Sequence, residues 1–182
     1  MNKLAFITGA TSGIGLATAK ALAENGYDLA LAARSEEKLY AIKNSFEKDY
    51  GVKVIPYPLD VRDRDAVQNT AGRCLSETGT PDVLVNDAGL ARGLEPYSSN
   101  DVDDIIDTNI KGLFLVTRAF LPAMLKRNTG HIINLGSTAG LYAYAGAAVY
   151  CSTKAAVKTF SDGIRIEVID SDIKITTIQP GI

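Results

Sequence analysis

Several things are scarce in this sequence. It has two cysteines, one histidine and no tryptophan in 182 residues. Cys74 and Cys151 are far apart and neither belongs to a C-x-x-C pair. They read as reduced thiols rather than a disulfide framework. One histidine is too few for a His/Cys metal site, and no metal is expected. Charge of neither sign dominates: 19 Lys and Arg stand against 21 Asp and Glu, a net charge of −2. No basic run stands out, so neither nucleic acid nor a membrane surface is expected as a partner. No apolar run approaches bilayer-spanning length. The first one, L-A-F-I, stops at Thr8-Gly9, too short for a secretory signal with a cleavage site. A cytoplasmic protein with one domain over residues 1–182 is the expectation, large enough for a substantial core.

What is present is a regular alternation. Apolar runs of strand length occur at Leu4–Thr8, Tyr27–Ala32, Val52–Tyr57, Asp82–Val85, Gly130–Leu135 and Ile173–Ile178. Helical patterns lie between them, at Ile14–Glu24, Leu39–Tyr50, Val67–Glu77, Asp101 to about Lys126, and Ala147 to about Ile169. Gly93 to Asn100 reads as a loop. Strands alternating with helices predict an α/β fold, a doubly wound parallel sheet of Rossmann type. Right-handed crossovers make 3-2-1-4-5-6 the default strand order.

The first turn of this pattern is T-G-A-T-S-G-I-G, Thr8 to Gly15. Gly9, Gly13 and Gly15 follow a strand and open a helix, the setting in which a pyrophosphate rests on a helix N-terminus. The second strand ends in Ala33-Arg34-Ser35 rather than an acidic residue. Arg34 and Ser35 suit a 2′-phosphate, which favours NADP(H) over NAD(H). Otherwise Arg34 is a solvated loop residue and Ser35 a helix cap. Asp60 and Val61 follow the third strand, placed to meet an adenine amino group and ring, or Asp60 caps the next helix. The fourth strand ends in N-D-A-G, Asn86 to Gly89, small enough for a flat ring or ribose to lie against, or simply a tight turn. Asn109 interrupts an apolar stripe, so it is either exposed or buried and hydrogen-bonded. Gly112 nearby allows a bend or a close neighbour. His131 opens the fifth strand and is expected at the sheet edge or in a loop.

Tyr150 and Lys154 are four residues apart in the last helical pattern, on one face. An ammonium beside a phenol favours the phenolate, which makes a tyrosine a usable acid/base. Ser137 follows the fifth strand, at the carboxyl end where open α/β sheets bind ligands. Alone, Y-x-x-x-K is a common chance spacing on helices.

Together these residues resemble the short-chain dehydrogenase/reductase family. The matches are T-G-A-T-S-G-I-G, Asp60-Val61, Asn86 to Gly89, Asn109, Ser137, Tyr150 with Lys154, and Pro180-Gly181. One departure is that the family usually has a second Asn where Asp87 stands. The stretches G-L-E-P, D-T-N-I-K-G and H-I-I-N-L-G-S-T-A-G look like the NADP-dependent 3-hydroxy acid (serine-type) dehydrogenase branch. Family chains continue past the Pro-Gly turn with a substrate lid and a seventh strand, so the chain is expected to be C-terminally incomplete.

The resemblance implies an oxidoreductase interconverting a secondary alcohol and a carbonyl with NADP(H), a small 3-hydroxy acid being the candidate substrate. It implies Asn109, Ser137, Tyr150 and Lys154 as the catalytic set. Tyr150 would move the proton, Ser137 would hold the substrate oxygen, and Lys154 would bind the nicotinamide ribose. Asn109 would hold a relay water. Gly9, Thr11, Ser12, Gly13, Ile14 and Gly15 would line the adenosine ribose and pyrophosphate. Arg34, Ser35, Asp60 and Val61 would serve the adenosine end. Asn86, Ala88 and Gly89 would back the cofactor, and Pro180, Gly181 and Ile182 would flank the nicotinamide. It also implies a homodimer or homotetramer paired through the two long helices, whose Phe114, Val116, Phe120, Val157, Phe160 and Ile164 exceed one face's need. A sugar epimerase or dehydratase of the extended branch is an alternative, but its glycine spacing is G-x-x-G-x-x-G, not the G-x-x-x-G-x-G found here. An NADP-binding regulator without turnover is another, one that has no need to keep Ser137, Tyr150 and Lys154.

Overall fold

A computed structural model describes residues 2–91 and 102–181. Its six strands are β1 (Leu4–Thr8), β2 (Asp28–Ala33), β3 (Val54–Pro58), β4 (Val83–Asn86), β5 (Gly130–Leu135) and β6 (Ile173–Ile178). All pair in parallel, in the order β3-β2-β1-β4-β5-β6. That is the doubly wound order expected from the alternation. β1, β5 and β6 begin and end where the apolar runs do, while β2, β3 and β4 shift by one or two residues.

The helices are α1 (Gly13–Glu24), α2 (Glu36–Tyr50), α3 (Arg64–Glu77), α4 (Val102–Ile106), α5 (Leu113–Arg127) and α6 (Ala148–Glu167). Every residue of β1 is buried, as befits a strand covered on both faces. Ala5 and Ile7 point into a core with Leu29, Leu31, Leu39 and Phe46, under α1 and α2. Leu4 and Phe6 point into the opposite core, under α3 and α5. There the Phe6 ring lies 4.5 Å from that of Phe120 and 6.0 Å from that of Tyr57. Each such fully buried side chain contributes roughly 1.5–3 kcal/mol.

Three expectations need correction. The helical pattern from Asp101 does run on to Arg127, but not as regular α-helix: α4 and α5 are joined by a π-helical turn, Asp107–Gly112, centred on Asn109. His131 is not at an edge. It sits inside the sheet between β4 and β6, with its Nε2 2.8 Å from Thr176 Oγ1. Of the apolar residues assigned to an outer pairing face, Val116, Phe120 and Val157 are buried in the chain's own core. Phe114 is 40% exposed and stacks on Phe160 with centroids 4.4 Å apart, so the outward face is narrower than the sequence suggested. Among the described residues, no helix is long and apolar enough to cross a membrane.

Candidate active site

A parallel sheet puts all its strand carboxyl ends on one rim. The chain leaves β1 for α1 and β4 for α4 and α5, on opposite faces, which opens a crevice between them. Thr8 closes its floor. The Thr8 hydroxyl accepts the amides of Asp87 and Ala88, each at 3.1 Å, and lies 3.4 Å from the Val85 carbonyl to which it donates. The Asn86–Gly89 turn is thus folded back over the end of β1. Gly9 sits under it at φ +68°, where a Cβ would stand 2.9 Å from the Ala88 nitrogen. A Cβ at Gly15 would stand 2.4 Å from the Gly9 carbonyl oxygen. Both positions exclude a side chain because backbone atoms fill the space.

A cleft of about 610 Å³ follows this rim. Gly9, Thr11, Ser12, Gly13, Ile14, Arg34, Ser35, Asp60, Val61, Ala88 and Gly89 all line it. Helix α1 opens into it without a side-chain cap: Ser12 stands at the N-cap but makes no cap bond, and the first turn holds no acidic residue. By contrast Ser35 accepts the Lys38 amide at the start of α2, and Asp63 accepts two amides at the start of α3. Uncapped N–H groups at the positive end of a helix suit a phosphate.

Arg34 stands exposed on the rim after β2, with Lys38 lining the cleft one helical turn away. Lys38 was missed in the sequence because a lysine on an outward helix position reads as a solvated face. Its signal was its place three residues after the Ser35 cap. Asp60 is not the cap of α3; that is Asp63. Both Asp60 oxygens are held by Arg62, whose guanidinium also reaches Asp104 on α4. Arg62 holds the Asp60 carboxyl below the usual carboxylate range. Any adenine amino group would share that carboxylate with Arg62. Val61 is buried, and its Cγ2 would lie 2.6 Å from a Cβ on Gly112, so Gly112 serves a close approach.

At the other end of the crevice, Ser137 follows β5 and starts a 3₁₀ turn, Thr138–Gly140. Its Oγ accepts the Ala139 amide at 3.1 Å. This turn lies directly on α6: a Cβ at Gly140 would be 2.7 Å from the backbone carbonyl carbon and oxygen of Lys154. Tyr150, half-buried, packs with Ala139, Ala147 and Cys151. Lys154 is buried, its Nζ donating to the Leu135 carbonyl at 2.7 Å and standing 5.8 Å from the Tyr150 ring centroid. Burial holds the Lys154 pKa below its ordinary value, while the Asp87 charge acts the other way.

Asn109 is the buried, hydrogen-bonded alternative. Its Oδ1 accepts the Leu90 amide at 2.7 Å, and its Nδ2 donates to the Leu90 carbonyl at 2.9 Å and to Thr153 Oγ1 at 3.0 Å. Thr153 in turn donates to the Tyr150 carbonyl. The π-helical turn is what lets Asn109 face inward, since it shifts the register of the ladder. Behind it, Asn86 Nδ2 donates to Asn134 and Thr117, and Asn134 Nδ2 donates to Ser161. Thr8, Thr117, Asn134, Thr153 and Ser161 are supporting residues the sequence did not single out; small polar residues carry no spacing signature. The turn after β6 returns to the same rim, with the Thr138 amide donating to the Pro180 carbonyl at 3.0 Å and Gly181 following. Ile182 and the G-L-E-P stretch lie outside the described residues.

A doubly wound sheet with an uncapped, glycine-lined helix start at its switch point places the molecule among dinucleotide-binding α/β proteins. The family model for short chain dehydrogenases matches residues 3–182. The chain belongs to that family. It is 43% identical over 182 residues to the NADP-dependent 3-hydroxy acid dehydrogenase YdfG of Salmonella typhi, covering 98% of this chain and 72% of that one. Among solved structures it is similar to serine dehydrogenase from Escherichia coli, with a TM-score of 0.90 at 39% identity, covering 98% of this chain and 82% of that one. It is also similar to the closed form of serine dehydrogenase complexed with NADP+, with a TM-score of 0.89 at 40% identity, covering 98% and 71%.

Proposed function

We propose that the chain interconverts a secondary alcohol and a carbonyl with NADP(H), that a small 3-hydroxy acid is its substrate, and that Tyr150 moves the proton. The single observation that carries this is the place of Lys154, buried where the coenzyme cleft meets the Tyr150 side of the rim. Among the described residues its three N–H donors make one bond, to Leu135, and Gly89 lies beside it. The remaining donors are free for ribose hydroxyls in the cleft. The substrate class is supported by the relatives' names, the 3-hydroxy acid and serine dehydrogenases.

The residues present fit the coenzyme. The start of α1 takes the pyrophosphate, Arg34, Ser35 and Lys38 take the 2′-phosphate, and Ala88 and Gly89 leave flat space for the ribose. When bound, the nicotinamide supplies or accepts the hydride. Tyr150 gives its proton to the carbonyl oxygen in reduction and takes it back in oxidation. The Ser137 oxygen already accepts from Ala139, so its own O–H is free to donate to that substrate oxygen. The Asn109 side chain is committed to Leu90 and Thr153, so a relay water behind Lys154 would bind the Asn109 backbone carbonyl instead. Buried Cys74 and Cys151, both free thiols, fit a reducing cytoplasmic setting.

Arg34→Ala should weaken NADPH by tenfold or more, roughly the 1.5–3 kcal/mol of a charge-assisted phosphate bond, and leave NADH almost unchanged. Equal losses for the two coenzymes in a fluorescence titration would show that Arg34 does not read the 2′-phosphate.

The chain is further proposed to assemble as a homodimer or homotetramer through the two long helical stretches, α4–α5 and α6. There Ile106 and Phe114 are exposed beside a shallow groove rimmed by Arg64, Lys111 and Arg118. Sedimentation of the intact protein should give a dimer or tetramer, and Phe114→Glu should shift it toward monomer. A monomer before substitution would rule this out.

A further inference from the structure

Among the described residues, two carboxylates line the coenzyme cleft, and they differ in how they are held. Asp60 is paired with Arg62. Asp87 has no salt bridge among the described residues. Its Oδ2 lies against the first turn of α1, 2.6 Å from where a Cβ on Gly15 would stand, and it faces the Gly15 N–H. The helix start read here as the pyrophosphate seat therefore already carries a carboxylate. Asparagine, the usual family residue at this place, would be neutral.

We propose that Asp87 makes coenzyme binding proton-linked, so that the anionic coenzyme binds tightest when this carboxyl is protonated. The inference rests on the reading of the cleft as the coenzyme site. Among the described residues the groups facing Asp87 are few. From α1 comes the Gly15 N–H, from α6 the Lys154 ammonium, and from β1 the Thr8 hydroxyl, which holds the Asp87 amide. The N–H and the ammonium favour the carboxylate, but burial outweighs them and raises the pKa to about 6. An anion brought against the same helix turn raises it further, because like charges in a partly buried cleft are weakly screened. The bound state then has the higher pKa. Affinity is full below the free-state value, falls as pH rises above it, and levels off past the bound-state value.

Asp87→Asn keeps the side-chain size and an oxygen for the Gly15 N–H, and removes the charge. NADH and NADPH are titrated by fluorescence into both intact proteins between about pH 5.5 and 8.5, spanning the carboxyl value. NADPH carries a phosphate whose second pKa is near ~6, so NADH is the probe that isolates the protein group. The wild-type protein should lose NADH affinity as pH rises, about tenfold for each unit by which the bound anion raises the carboxyl pKa. Asp87→Asn should give a flat profile and tighter binding at the alkaline end. Binding with superimposable profiles would overturn this inference and leave the coenzyme reading standing. Absence of binding by either coenzyme would overturn that reading and this inference with it. Should Asp87→Asn not fold, calorimetry of NADH binding to the wild-type protein in two buffers of different ionisation heat decides the matter. Proton uptake near neutral pH supports the linkage, and none overturns it.

Discussion

Tyr150→Phe is expected to lower carbonyl reduction by about 10²–10⁴-fold while coenzyme binding and stability stay nearly unchanged. The split follows from how Tyr150 is held. Its ring packs with Ala139, Ala147 and Cys151, and phenylalanine keeps that contact. Its backbone carbonyl accepts the Thr153 hydroxyl, a bond the substitution does not touch. Its hydroxyl has no hydrogen-bond partner among the described residues, so its loss costs the fold within about 0.5 kcal/mol. Lys154 stays anchored on Leu135 and the start of α1 is remote from the change, so NADPH should bind as before. Single-turnover reduction and an NADPH titration on the same intact preparation read the two effects separately. A Phe variant that reduces carbonyls at near wild-type rate would show that another group moves the proton.

Gly140→Ala is expected to lower turnover by about 10²-fold, although residue 140 touches neither substrate nor coenzyme in the proposed mechanism. The added Cβ would fall 2.7 Å from the Lys154 carbonyl carbon and oxygen and 2.9 Å from the Ala155 nitrogen. These are backbone atoms of α6, which no rotamer change moves aside. The 3₁₀ turn must therefore lift off the helix, carrying Ser137 away from the face that bears Tyr150 and Lys154. Overpacking of this kind costs roughly 1–3 kcal/mol, so a small fall in melting temperature should accompany the loss. NADPH affinity should fall less than kcat, because the residues proposed to hold its phosphates lie at the start of α1 and after β2, away from this turn. Comparing kcat with NADPH affinity separates this displacement from general unfolding, which would lower both alike.

Much of this molecule was legible before the chain was folded. The glycines at 9, 13 and 15 could be assigned to a tight strand-to-helix turn because their need is local: positive φ at Gly9 and Gly13, and backbone packed against Gly15. The six strands were legible because a strand buried on both faces is continuously apolar, and alternation with helices leaves few ways to order a parallel sheet. Tyr150 and Lys154 share a helix face by spacing alone. What the chain order left undecided is where side chains meet. Asn109 reads equally as exposed or buried until the π-helical turn and the two bonds to Leu90 settle it. Val116, Phe120 and Val157 read as spare apolar surface until packing places them in the core. Asp60 reads equally as a helix cap or a ligand for adenine until Asp63 is found at the cap of α3 and Arg62 against both Asp60 oxygens. Nothing in the spacing of Gly140 reveals that α6 passes against it, or in Asp87 that its carboxyl meets Gly15. Local conformational limits and hydrophobic period act between near neighbours and can be read along the chain. Contacts between residues far apart in sequence depend on how helices settle on the sheet, and only the tertiary packing decides which polar atoms those helices bring together.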